Sequence, residues 1–133
     1  GALSAADRLK RRAVMNFEFS RLETGSNVPP HTDAPEKLAT LILYFATPEW
    51  REEWGGGTLF YLPKDKTLMR NWHNRRVPFD EATPVLNNEF VPNRLFIFTK
   101  SEDSLHGLPD ITCPPDIARN SVNINLLIPA PAR

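Results

Sequence analysis

Two stretches of this 133-residue chain carry side chains that could hold a metal. In "VPPHTDAP", Val28 to Pro35, a histidine and an aspartate stand two positions apart between prolines. In an extended strand residues i and i+2 point to the same side, so His31 and Asp33 can offer an imidazole nitrogen and a carboxylate oxygen to one point. Pro, Thr and Asp are also ordinary turn residues, and a solvated turn is the plain alternative. A metal site needs a third partner, and only two other histidines exist, His73 and His106. His106 follows the apolar run Leu95 to Thr99 and precedes Gly107, which lets backbone or ligand approach closely. His73 lies in the polar run "MRNWHNRR", with no strand to hold it. His106 is the expected third ligand.

Two histidines and one carboxylate on one face of an iron make a facial triad, with the opposite face open for substrate and oxygen. The second stretch, "ARNSVNINLLIP", follows His106 and alternates. Arg119, Ser121, Asn123 and Asn125 share one face, and Val122, Ile124 and Leu126 share the other. A guanidinium on an inward face must be paired. The carboxylate of a small ligand would satisfy it, because the planar fork matches that group bidentately, and Ser121 could add its hydroxyl. A surface strand with one polar face, or an internal acid paired to Arg119, would explain the same pattern.

Strands must position these groups, and the chain supplies them. "VMNFEFSRLE" alternates, with Met15, Phe17 and Phe19 opposite Asn16, Glu18 and Ser20. "KLATLILYFA" is apolar on both parities, which predicts a central strand covered on both sides. "GGGTLFYLP", "RLFIFTK" and "SVNINLLIP" read as three more strands. The polar segment Lys64 to Asn93 carries only a weak strand signal, around Pro84 to Phe90, and a connection that long is usually functional or mobile. Prolines punctuate these runs, and helical periodicity is nearly absent after a short helix expected over Ser4 to Arg12, N-capped by Ser4. An all-β sandwich or barrel follows.

Sixteen basic and sixteen acidic side chains cancel, so no overall field favours nucleic acid or an anionic membrane. No apolar run reaches membrane-spanning length. A single cysteine, Cys113, excludes an internal disulfide and suits a reducing interior; with no apolar stretch in "GALSAADRLKRR", the expected location is cytoplasmic. Tyr44 and Tyr61 are expected to pack in the core. Trp50, Trp54 and Trp72 either line a substrate mouth or close the barrel ends. Arg70, Arg75 and Arg76 form a basic cluster that could recognise an acidic substrate or simply be solvated.

The order "HTD", then "GGGTLFYLP", then "LHGLPDITCPPDIARNSVNINLLIP", resembles the 2-oxoglutarate- and Fe(II)-dependent dioxygenases, nearest to the branch with prolyl-hydroxylase-type catalytic domains. The likeness runs from about Val14 to Pro129. It implies a mainly β chain, a double-stranded β-helix or jelly roll preceded by a short N-terminal helix. It implies one catalytic domain over 1–133, with a barrel core over 13–129 and a substrate-side connection over 64–93. His31, Asp33 and His106 would hold Fe(II), and Arg119 and Ser121 would anchor the far carboxylate of 2-oxoglutarate. Dioxygen is the other co-substrate, with ascorbate a candidate reductant. The implied activity is hydroxylation of a small molecule or a peptidyl side chain. Collagen-type prolyl hydroxylases carry a lysine where this chain has Arg119, so proline is not carried over as substrate. A non-catalytic jelly-roll module binding a sugar or acidic ligand is the alternative. A cupin metalloenzyme would carry more histidines near the first motif.

Overall fold

The computed structural model describes residues 13–128, so the helix expected over Ser4 to Arg12 lies outside the described residues. The strands are β1 (Val14–Leu22), β2 (Val28–His31), β3 (Lys37–Tyr44), β4 (Thr58–Pro63), β5 (Ala82–Asn88), β6 (Leu95–Thr99), β7 (His106–Leu108) and β8 (Arg119–Leu127). They form two four-stranded antiparallel sheets, in the orders β1-β8-β3-β6 and β2-β7-β4-β5. This is the jelly roll that the resemblance implied.

Alternation decides which side chains meet between the sheets. On β3 the inner face is Thr40, Ile42 and Tyr44, all buried. Ile42 and Tyr44 pack with Phe90, and with Phe96 and Phe98 beside them. The Tyr44 hydroxyl donates to Thr58 Oγ1 at 2.9 Å or to the Asn88 carbonyl at 3.1 Å, so its burial leaves no polar atom unmatched. Tyr61 packs with Val77, Ala82 and Leu105 under the second sheet. Cys113 is buried with Leu108 and Ile111, its thiol on the Ile117 carbonyl at 3.2 Å.

The outer side of the first sheet corrects one expectation. β3 is covered on its inner side only, and among the described residues no layer covers the outer one. Row by row across the sheet, Phe17 aligns with Ile124, Leu41 and Ile97, and Phe19 with Val122, Leu43 and Leu95. Phe17 and Phe19 are 57% and 86% exposed. The apolar parity of β1 faces out because its polar parity, with Glu18 and Ser20, lines the cavity described below.

The weak strand signal near Pro84 is β5, an edge strand. Its register against β4 shifts between Phe60 and Tyr61, opposite Leu86 and Pro84, and an edge position is where a proline is tolerated.

Gly107 fixes how tightly β7 meets β2. A Cβ there would stand 2.7 Å from the Val28 carbonyl oxygen and 3.0 Å from Pro30 N, both backbone atoms of β2. Gly107→Ala should therefore part the two strands and cost about 1–3 kcal/mol. A thermal melt reads this, and an unchanged midpoint would contradict it.

Candidate metal centre

His31 ends β2 and His106 begins β7, and the antiparallel register sets them directly opposite each other. Their ring centroids are 4.5 Å apart. Asp33 reaches the same point by a route the strand argument did not foresee. β2 stops at His31, and Asp33 adopts φ 71°, in the left-handed region open to Asp and Asn. Between them Thr32 is fully buried and turns away, its hydroxyl donating to the Asn71 carbonyl.

One ligand atom from each of His31, Asp33 and His106 lies within 4.8 Å of the other two. Asp33 Oδ1 is 3.3 Å from His31 Nε2, and Oδ2 is 3.5 Å from His106 Nε2. Adjacent ligands around an octahedral divalent ion stand about 3 Å apart, so these edges are close to ready for one. The tautomers fit as well. His31 Nδ1 lies 2.9 Å from the Pro29 carbonyl and His106 Nδ1 2.8 Å from that of Ser104. A carbonyl only accepts, so each Nδ1 carries the proton and each Nε2 presents its lone pair. Electron-rich atoms aimed at one small volume need a cation there.

Electrostatics agree with that reading. Burial pushes the His106 imidazole down to about 4, so near neutrality its contact with Asp33 is not an ion pair. Burial works against the charged form of Asp33. The adjacent His31 imidazole, the charge that His106 gains in acid and the Lys37 ammonium outweigh it and hold the carboxyl far below its usual range. His106 and Asp33, two of the three metal-facing groups, are thus already deprotonated for a cation at neutral pH.

A pH dependence follows for the metal-free protein. The unfolded chain protonates His106 near 6.5, the folded chain near 4. Stability is independent of this group above pH 6.5, falls as pH drops from 6.5 to 4, and levels off below. The fall is worth roughly 3 kcal/mol. Asp33 adds a further loss below its unfolded pKa of 3.8, because its folded carboxyl stays ionised to lower pH. Urea midpoints across pH 4–7 check this: His106→Asn should flatten the upper limb, and an unchanged slope would remove His106 as its cause.

The centre opens into a cavity of about 200 Å³ between the sheets. Arg119, 4% exposed, lines it as well. Its Nε donates to the Gly56 carbonyl at 2.6 Å, one terminal nitrogen to Ser121 Oγ at 3.0 Å and the other to Thr58 Oγ1 at 3.4 Å. Tyr44 and Phe90 flank the guanidinium at 5.0 and 5.2 Å. These partners are neutral, and among the described residues Arg119 has no carboxylate partner. Burial pushes its pKa down, yet an arginine stays charged. The cavity therefore has a buried positive charge with nothing anionic on it. Gly56 makes the grip possible: φ is 92°, and a Cβ would meet Trp50 at 2.9 Å and Phe90 at 3.2 Å.

Ser121 is buried beside Arg119, and its Oγ accepts the guanidinium N–H at 3.0 Å. Thr58 and Lys37 were missed. Thr58 hides in an apolar strand, and Lys37, which sits 3.1 Å from Asp33 Oδ1, carried no signal beyond lying four residues on. His73 is exposed and outside the cluster. A larger cavity of about 300 Å³, beside Trp50 and Phe90, has exposed Glu52 and Glu89 on its lining and no convergent ligand set.

Residues 17–127 match the family model described as the 2OG-Fe(II) oxygenase superfamily. The chain belongs to this superfamily. The 2OG-Fe(II) oxygenases use Fe(II), 2-oxoglutarate and dioxygen, and the donor set and lone guanidinium found here fit such a complement. Among solved structures, a prolyl 4-hydroxylase from Phytophthora capsici is 18% identical with a TM-score of 0.49, over 86% of this chain and 32% of its own. A prolyl hydroxylase from Trichoplax adhaerens, in complex with a hypoxia inducible factor oxygen degradation domain peptide fragment, is 13% identical with a TM-score of 0.49. That match covers 88% of this chain and 43% of the neighbour, so the chain spans less than half the length of either structure. No curated protein matches it.

Proposed function

We propose that the chain is the catalytic domain of an Fe(II)- and 2-oxoglutarate-dependent dioxygenase that hydroxylates a small molecule or a peptidyl side chain. The observation that carries this reading is one cavity with two complementary features. It has three metal-binding atoms converging at one place, and a buried arginine without an anion at another. A diacid with a 2-keto group needs both, one end for the metal and the other for the guanidinium.

His31, Asp33 and His106 would hold the ferrous ion, with their Nδ1 protons and the Pro29 and Ser104 carbonyls setting the imidazole planes. Lys37 stands 3.1 Å from Asp33 Oδ1 and the Thr40 hydroxyl donates to Oδ2 at 3.3 Å, and together they would fix the plane of the carboxylate. Arg119 would seat the distal carboxylate, aimed by Ser121, Thr58 and Gly56. Phe60 and Phe98 stand 5.9 and 4.5 Å from the His106 ring and keep that side of the centre apolar. Iron, when bound, supplies the redox chemistry by which dioxygen oxidises 2-oxoglutarate to succinate and carbon dioxide and a substrate C–H bond to C–OH. The substrate side would be the connection over 64–93.

Anaerobic addition of Fe(II) and 2-oxoglutarate should give a weak charge-transfer band near roughly 500 nm, and admitting oxygen should release succinate. A ligand-binding module without chemistry gives neither, and their joint absence would sink the proposal.

A further inference from the structure

The connection after β4 carries an imbalance that the whole chain lacks. Over residues 64–76, five Lys and Arg side chains stand against one carboxylate, Asp65. Arg70, Arg75 and Arg76 are exposed, and among the described residues none of them makes an ion pair, whereas Arg21, Arg51 and Arg94 each do.

These arginines do not hang from a loose loop. Asn71, 3% exposed, is bonded twice to Arg75: its Oδ1 accepts the Arg75 N–H at 2.8 Å and its Nδ2 donates to the Arg75 carbonyl at 2.6 Å. The Asn71 carbonyl takes the hydroxyl of Thr32, the residue between His31 and Asp33. Val77 N–H donates to the Pro30 carbonyl at 2.8 Å. Lys100 bridges Thr32 Oγ1 and the Trp72 carbonyl at 3.0 Å each, and lies 4.9 Å from the centre of the Trp72 ring. Arg70 and Asn74 sit at φ 63° and 60°, a conformation an arginine adopts only when its surroundings impose it. Asp103 Oδ1 accepts the Arg70 N–H at 3.4 Å and the main-chain carbonyl of Glu102 accepts that of Asn71 at 2.9 Å, so both fix the backbone of the segment rather than its guanidiniums.

We propose that residues 70–76 dock an acidic polypeptide segment beside the end of β2 where His31 and Asp33 stand. Its use in bringing a substrate near the metal centre rests on the oxygenase reading of that centre. Exposed guanidinium forks match carboxylates, and Trp72, 40% exposed among them, offers an aromatic face. An extended partner fits better than a small anion, because the cavity between Asn71, Glu102 and Asp103 holds only about 20 Å³. That is room for little more than a single water.

The test uses the full chain and a fluorescently labelled oligoglutamate peptide. Anisotropy should show binding that weakens with salt and falls about tenfold or more in the triple variant Arg70→Ser, Arg75→Ser, Arg76→Ser, but not in Arg51→Ser. Equal binding by the triple variant, or tighter binding of a single-stranded oligonucleotide of equal charge, overturns the proposal. With Mn(II) in place of iron, the bound peptide's proton resonances should broaden, with Zn(II) as the silent control. Binding without broadening, in protein shown to hold Mn(II), also overturns it. Uptake of Mn(II), followed by loss of the free-ion resonance, reports on the metal centre alone, so a failed metal assignment and a failed docking surface are read separately.

Discussion

Asp33→Asn should weaken Fe(II) or Mn(II) binding by at least about 100-fold and slow succinate release on the order of 10³-fold, in a protein that melts lower but still folds at about 25 °C. Asparagine is the informative replacement for two reasons. It keeps the shape of the side chain and tolerates φ 71°, so the backbone that delivers residue 33 survives. What it removes is the charge between two imidazoles and Lys37. An alanine would add strain to the loss of the ligand, and any loss of metal could then be blamed on the turn. His106→Ala is less clean again, since His106 is buried against Phe60 and Phe98 and its loss leaves a hole. Metal titration of the Asn variant decides the matter, and wild-type affinity there would remove Asp33 from the centre.

The second large effect separates function from stability. Arg119→Met should weaken 2-oxoglutarate binding by about 2–5 kcal/mol, the cost of losing a desolvated charge partner. The same substitution should leave the melting temperature of the ligand-free protein unchanged or raised. The reason is that Arg119 is a buried charge with only neutral hydrogen bonds, and an apolar side chain of similar length replaces a desolvation cost with packing against Tyr44 and Phe90. A residue kept for the fold would show the opposite. The apparent KM for 2-oxoglutarate and a melt on one preparation test both halves. A lower melting temperature with unchanged KM would make Arg119 structural.

Much of this was legible in the residues because period-2 alternation is a strong local signal. It placed β1 and β8 and put Arg119 and Ser121 on one row, while short apolar runs marked β3, β4 and β6. What alternation cannot say is which parity faces in. For β1 the apolar side turns outward: Phe17 and Phe19 face out because a polar cavity fills the barrel there. Asp33 came out on the right point for the wrong reason, since the strand ends before it and a left-handed residue does the turning. Thr58 was invisible because its contact with Arg119 exists only across the barrel, and Lys37 because its contact with Asp33, four residues away, depends on the left-handed turn at Asp33. The basic cluster at 70–76 was readable as charge, but its rigidity came from Asn71 and Thr32, a pairing 39 residues apart.

β8 meets two demands at once, Arg119, Ser121 and Asn125 looking into the barrel and Val122 and Ile124 looking out. One extra residue inserted between Asn120 and Leu126 would turn the strand over beyond that point, burying isoleucine where asparagine belongs. Natural length variation in proteins built like this one should therefore collect at the exposed turn around Pro115 and Asp116, past the buried Ile111 and Cys113, and spare the strand itself.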